Sequence, residues 1–336
     1  MGVRHAVSLL TTATLVIGAT LSLGTSASAA EDPAVEVAQM VADAVAAGAP
    51  AVAIVASAPT ATGDLATAAG ATSSPGTGAG TLRLVNGTAD QAPGVADFPD
   101  VTLTLPAEAQ VATATATVAP DGTVVYAGEG AVDVAVQATA DGARVQTVLA
   151  DASAPTKYTY TFGDGIVPVL NADGSVDLTV SLEEGVSMSV GHLDVPWAVD
   201  ANGAPVATRY RVQGGAVVQS VEHRRGHAAY PVVADPNISK SCVWYGMCFI
   251  KFNRAYTNNI AAGTGLAVVA SGLIALYAPL APLAIVLAAK FGIDTVFANW
   301  VYNRNNCMAY QFPITNWLQP HTWAPYEVKR GSYNCA

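Results

Sequence analysis

Cysteine is missing from the first 241 residues of this 336-residue chain, and charge is scarce throughout, at 12% of residues. Between Arg254 and Lys290 there is no charged side chain at all. The chain has no G-x-S-x-G, no H-E-x-x-H, no P-loop and no Rossmann glycine fingerprint. The cysteine spacings, C-x5-C and C-x27-C, fit no zinc site. His223 and His227 are four apart, but Gly226 intervenes and a third ligand is lacking. His192 and His321 have no paired carboxylate in the sequence that suggests acid–base work. No catalytic residue, metal or cofactor is therefore expected, and an enzyme is the least favoured reading.

The N-terminus, "MGVRHAVSLLTTATLVIGATLSLGTSASAA", has a basic start at Arg4 and His5, then an uncharged apolar stretch. The small-residue site Ala27-Ser28-Ala29 follows. That order is expected of a secretory signal over residues 1–29, which places the rest outside the cell or in its envelope. Charge is then divided unevenly. Residues 31–236 hold 23 acidic and 7 basic side chains, a net −16. Residues 237–336 hold 2 and 7, a net +5. The basic part suits an anionic membrane or a cell-wall polymer, or it rests on the acidic part. Nucleic acid is not an expected partner.

All four cysteines, Cys242, Cys248, Cys307 and Cys335, lie in the basic part. In an exported chain an even number reads as disulfides, here two. Three pairings are open. The local pairs Cys242–Cys248 and Cys307–Cys335 are preferred over a Cys248–Cys307 bridge, which would clamp the ends of the uncharged run.

Residues 33–48 suit a short helix, with Pro33 in its first turn and Gly48 at its end. It belongs to a segment of residues 30–56. Residues 57–81 are rich in Ala, Thr, Gly and Ser without periodicity and read as a flexible linker, which makes the helix a loosely attached tail. From residue 82 to 236 the pattern is alternation, as in "DVTLTLP", "QVATATATV", "AVDVAVQAT", "KYTYTF" and "SVDLTVSL". Such runs read as half-buried strands. Asp-Gly and Asn-Gly pairs at 121–122, 141–142, 164–165, 173–174 and 202–203 supply turns. The expectation is an antiparallel β-sandwich-like domain whose inner face of Ala and Val packs tightly rather than through aromatics.

Pro196-Trp197-Ala198, Asp200, Gly203 and the terminal Tyr230-Pro231-Val232-Val233-Ala234-Asp235-Pro236 resemble the last strands of an uncharacterised β-domain of exported actinobacterial proteins. The resemblance covers roughly residues 110–236 and implies a fold and a boundary, not an activity. It puts Trp197 and Tyr230 in the core and makes Asp235 a cap on the exit turn. Phe252-Asn253-Arg254, Cys307, Gly331, Tyr333 and Cys335 resemble an uncharacterised tail module attached to the same domain.

Residues 237–336 read as a small helical-hairpin module with two disulfides, giving an α+β chain of separate domains. Pro279 and Pro282 break the uncharged run, since proline opposes a helix interior. Limb one covers about 255–278 and limb two about 282–304. The uncharged part of limb one, Ile260 to Ala278, would span about 28 Å, close to a bilayer core. Gly263, Ala267, Ser271 and Ala275 recur four apart, as do Ala284, Ala288 and Gly292, so each limb carries a small-residue ridge for close packing. In limb two, Lys290 and Asp294 share a polar face, with Ile285, Ile293, Val296, Phe297 and Trp300 on the apolar side. That amphipathic limb suits an interface or a core.

The expected function is that of a secreted non-enzymatic protein, an envelope or extracellular interaction module. The alternative is a precursor, in which the acidic domain shields a membrane-active basic hairpin. Arg224-Arg225 is its candidate processing site, although a solvated turn is the commoner meaning of such a pair.

Overall fold

The computed structural model describes residues 33–47, 57–59, 65–67, 71–74, 81–84, 101–111, 116–139, 142–240, 247–264, 281–313 and 316–335. The expected signal segment, Cys242, Ala267, Ser271 and Ala275 lie outside them. All the described residues belong to one unit, Asp32–Ala336.

Alternating, β-branched runs make the strands, and the Asp-Gly pairs turn them. Asp121 accepts from the backbone N–H and the hydroxyl of Thr123, while Gly122 takes a φ of 88°. Asp173 treats Ser175 in the same way, with Gly174 at 96°. A carboxylate that holds the residue two ahead, followed by a glycine free to go left-handed, reverses the chain at little cost.

Every strand pairing described is antiparallel, and the strands form two main sheets. The smaller runs Thr208–Gln213, Ala216–Val221, Lys157–Phe162, Val101–Thr104, Thr81–Leu84, Ala71–Ser74. The larger runs Ala324–Val328, Cys307–Pro313, Met247–Phe252, Val186–Leu193, Asn237–Lys240, Gly142–Leu149, Val132–Ala138, Val124–Tyr126, Thr117–Val118. Val176–Glu183 pairs with Val186–Leu193 and carries Ile166–Leu170 beyond it. The expected sandwich is present. Val134, Val136, Val145, Leu178 and Val190 share its core with Leu103, Tyr158, Tyr160, Tyr210 and Val217. The three tyrosines are buried, so the fit is not one of small residues alone. Their hydroxyls, which need partners inside, reach Pro155, Gln219 and Asp235.

The N-terminal helix α1, Pro33–Ala47, is docked rather than trailing. Its Ala34, Val37, Val41 and Ala44 pack on Val125, Ala135, Val148, Val199 and Val233, the outer face of the larger sheet. That cover buries Val148 on the outward face of Gly142–Leu149, a strand buried along its whole length. Within 57–81, read from sequence as a linker, Ser57–Pro59, Leu65–Thr67 and Ala71–Ser74 are strands.

Asp235 does not cap an exit turn. It is fully buried where the chain passes from the strand Val232–Ala234 to Asn237–Lys240. Both of those strands lie along Gly142–Leu149, and Val145 N–H donates to Pro236 O between them at 2.8 Å. Asp235 Oδ1 accepts from Trp197 N–H and Gln219 Nε2, both at 2.9 Å, and Oδ2 from the Tyr210 hydroxyl at 3.0 Å. Gln219 and Tyr210 belong to the other sheet, so this carboxyl bonds the two layers together. Burial pushes it up to about 8, against the hydrogen bonds from Trp197, Tyr210 and Gln219. Trp197 is partly buried against the α1 cluster rather than in the inter-sheet core.

The sheet continues across Pro236. Asn237–Lys240 and Met247–Phe252 lie end to end along the same edge of Val186–Leu193, and Cys307–Pro313 and Ala324–Val328 extend the sheet further. Helices sit on this extension: α2 (Arg254–Ala261), α3 (Ala281–Ile293) and α4 (Thr295–Asn303). The expected second limb is therefore two helices, bent by 72°. The basic segment does rest on the acidic one, for Lys251 Nζ is 3.2 Å from Asp177 Oδ2.

Candidate interaction surface

Under the helices lies an aromatic cluster. Phe252 meets Tyr256, Phe291 and Tyr310, and Trp323 stacks on Phe312 with centroids 4.0 Å apart. Phe252 and Tyr310 alternate inward on neighbouring strands, and Tyr256 comes from α2, whose start is capped by the Asn253 side chain accepting from Tyr256 N–H at 2.8 Å. The disulfide Cys307–Cys335 ties the C-terminus to the start of a sheet strand. It belongs to the preferred local pairing and excludes the clamp from Cys248 to Cys307. Cys248 is disulfide-bonded as well.

The polarity of α3 is the reverse of what its sequence implies. Lys290 and Asp294 point inward, 2.9 Å apart and nearly buried. Asp294 Oδ2 also accepts from the Tyr310 hydroxyl at 3.0 Å, and the Lys290 ammonium lies 5.5 Å from the centre of the Tyr310 ring. The buried anion and the cation thus satisfy each other and share one phenol, which is what makes burial of charge tolerable. Burial and the Asp294 carboxylate push the Tyr310 phenol well above its ordinary range. Leu283, Ala284, Val286, Leu287 and Phe291 fill the rest of the inward side.

Of the two expectations for the apolar side, interface or core, the structure has most of its residues facing out. Ile285 is 74% exposed, Ile293 69%, Val296 79% and Trp300 48%. Phe297 alone of that set is half-buried, packed on Trp300 with ring centres 5.6 Å apart. Ala289 and Gly292 are exposed between them. From residue 282 to 298, every exposed side chain is apolar or glycine. From Asn299 onward polar groups join in: Asn299, Asn303 and Arg304 surround Trp300, and the Arg304 guanidinium lies 4.7 Å from the Trp300 ring centre.

Around this end the cations gather. Arg254 stacks on Tyr302 at 4.4 Å and donates to Asn306 O. Arg304 and Lys329 both reach Glu327, at 2.9 and 3.2 Å, and Arg330 donates to Asn305 Oδ1. Hydrogen bonds from Asn306, then Arg304 and Lys329, hold the Glu327 carboxyl down at about 2. Four cations and one carboxylate leave a positive patch beside the apolar strip.

The small-residue ridges are not brought together at their glycines. Gly263 lies past the end of α2 with a φ of 72°, Gly292 is exposed, and among the described residues a Cβ at either would meet nothing within 4 Å. Ala284 is buried and Ala288 half-buried. Arg224 and Arg225 occupy an exposed turn. Arg224 donates to the carbonyls of Ser153 and Ala154, and Arg225 pairs with Glu222.

The histidines fall elsewhere. His223 is buried between the Tyr230 hydroxyl at 2.8 Å and Pro155 O at 3.2 Å, and desolvation lowers its pKa. His192, without a partner by sequence reasoning, has its Nδ1 2.9 Å from Asp177 Oδ1 across the Val176–Glu183/Val186–Leu193 ladder. His227 is in the exposed turn, and His321 is in a short 3-10 helix. Among the described residues no group of His, Cys, Asp or Glu is arranged to hold a metal ion. Nor is any single helix there long and apolar enough to cross a membrane, although α3 and α4 reach that length and composition together.

The signal that could have revealed the strip is in α3 itself. Its sequence, "APLAIVLAAKFGI", is apolar on every side but for Lys290, and such a helix must leave an apolar face outward unless it is wholly enclosed. No family model, curated protein or solved structure matches this chain.

Proposed function

We propose that this is an exported, non-catalytic interaction protein of the cell envelope or extracellular space, which engages its partner through the outward face of α3 and α4. One observation carries the reading: Ile285, Ile293, Val296 and Trp300 are exposed on a framework that goes so far as to bury Lys290 and Asp294 beneath them. A contiguous exposed apolar surface of this kind marks a contact site. The Cys307–Cys335 disulfide and the signal-like N-terminus agree with an oxidising compartment. His223 and His192 are tied into the framework rather than set at a surface for catalysis.

The test compares the chain recovered from the medium of a secreting host with its Ile293→Ser/Val296→Ser variant, on washed envelopes of the producing organism. Binding that falls with the substitutions, at unchanged circular dichroism, supports the reading. Equal binding by both chains contradicts it.

The precursor reading is favoured by the accessibility of the Arg224-Arg225 turn. Against it, a cut there leaves Val232–Ala234, Asn237–Lys240 and Met247–Phe252 hydrogen-bonded to Gly142–Leu149 and Val186–Leu193, with Asp235 still bonded to both layers. Release would require dismantling the sandwich core.

A further inference from the structure

We infer that the partner of the α3–α4 face is an anionic lipid surface, on which the bent pair lies in the interfacial plane without crossing the bilayer. The inference rests on the reading that this face is the contact site, and it goes on to name what is contacted.

Three observations point to lipid. The first is the order of polarity along the two helices. Exposed positions are purely apolar from Ile285 to Val296, then become Trp300 flanked by Asn299, Asn303 and Arg304. Hydrocarbon accepts the first part, and the headgroup layer accepts an indole with polar neighbours.

The second is charge. Arg254, Arg304, Lys329 and Arg330 gather at the Trp300 end, where Arg304 and Lys329 share the Glu327 carboxylate. The remainder of the chain is strongly acidic, with 23 acidic side chains in residues 31–236. An anionic surface would therefore attract this end and repel the β-sandwich, which orients the molecule with α3 and α4 down.

The third is geometry. Lys290 and Asp294 pair beneath the helices, so contact with hydrocarbon leaves no ion stranded at the interface. A 72° bend between α3 and α4 spreads the strip over a plane, and their other side is fixed to the aromatic cluster. That fixation prevents the pair from straightening into a span while the fold is intact. An apolar face with cations at its edge is the pattern of an interfacial amphipathic helix.

The experiment uses the oxidised chain recovered from the medium of a secreting host. It measures co-sedimentation with vesicles of phosphatidylglycerol and phosphatidylcholine in equal parts, and with phosphatidylcholine alone. Three variants accompany it: Ile293→Ser/Val296→Ser, Arg304→Gln/Arg330→Gln, and Leu170→Ser. Leu170 is exposed on the strand Ile166–Leu170 and controls for general stickiness. The expected result is binding to the anionic vesicles that falls at least about tenfold with the serine pair. It should fall about fivefold for each cation removed, weaken in 0.5 M salt and be unchanged in Leu170→Ser. Vesicles should keep an entrapped dye, because the pair does not span.

Equal binding to neutral vesicles, indifference to the serine pair, or dye release would each overturn the inference. So would a concentration-dependent dimer that the serine pair dissolves while vesicles go unbound, for then a second copy occupies the face. Loss of vesicle binding with retained, strip-dependent envelope binding would remove lipid as the partner yet leave the contact site standing. Loss of both would remove the two together.

Discussion

The β-sandwich and the helical extension each bury a carboxyl group, Asp235 and Asp294, and they hold these two by opposite means. In the sandwich, Asp235 is a single carboxyl held by neutral donors on both layers, and desolvation raises its pKa to about 8. In the extension, Lys290 and Asp294 neutralise each other and lean on Tyr310. The first arrangement makes stability depend on pH. The second makes a helix face expendable, because once the ions are turned in, everything left outside α3 is apolar. What looks like an amphipathic helix becomes an exposed apolar surface through one inward pair.

The largest effect expected from breaking this comparison is in the extension's cross-link, for which the described part of the sandwich has no counterpart. Replacing both Cys307 and Cys335 by Ala frees a loop of 28 residues. That should cost about 3.5 kcal/mol by the loop-entropy relation, read as a lower denaturant midpoint. Next is the inward pair. Asp294→Asn leaves Lys290 buried without its carboxylate and should cost about 3 kcal/mol. The double variant Lys290→Met/Asp294→Asn should recover most of that loss, and a failure to recover would show that the pair does more than neutralise itself.

Smaller, and particular to the sandwich, is a pH slope. The folded pKa of Asp235 lies above its unfolded value, so the folded state keeps a proton that the unfolded state has lost. Stability from this group is full below about pH 4, declines as pH rises, and is gone above about 8. His223 works the other way below its ordinary value of 6.5, because burial holds it neutral. The carboxylates with lowered pKa values, Asp177, Asp173, Asp200 and Glu327, are ionised in both states well below this window. Burial lowers the pKa of the nearby Arg144, against the Asp235 and Asp194 carboxylates. Between pH 6.5 and 8 the unfolding free energy should therefore fall by up to about 1.4 kcal/mol per pH unit. In Asp235→Asn that slope should vanish. The smallest effect is expected at the strip: Val296→Ser should change stability by no more than about 0.5 kcal/mol, since its side chain is already in water. A large loss there would mean that the strip packs on the fold.

Much of the sandwich was legible in the sequence, and for a local reason. Alternation in stretches such as "SVDLTVSL" and Asp-Gly turns at 121–122 and 173–174 act within a few residues, and the hairpins form where those signals lie. The Cys307–Cys335 pairing followed the same rule of short closure. What could not be read is tertiary. Nothing near α1 announces that Val37 and Val41 meet Val148 and Val233, more than a hundred residues on. Asp235 resembled a turn cap because its partners, Tyr210 and Gln219, belong to another layer. The apolar side of α3 stayed open between an interface and a core for the same cause. Periodicity separates the faces of a helix, but here both faces are apolar, and the choice between them was made by the phenol of Tyr310, on a strand beyond the next helix.

The claim on which the account turns is that Lys290 points inward and the strip outward. Acylation of the native chain with an amine-reactive reagent, followed site by site by mass spectrometry, tests it directly. The Lys290 side chain is 9% exposed and paired, and that of Lys329 is 67% exposed. The account predicts rapid modification of Lys329 and strong protection of Lys290 until the chain is unfolded. Modification of Lys290 at the rate of Lys329 in the folded protein would contradict it, because the helix would then present its ions to solvent and hide the apolar face.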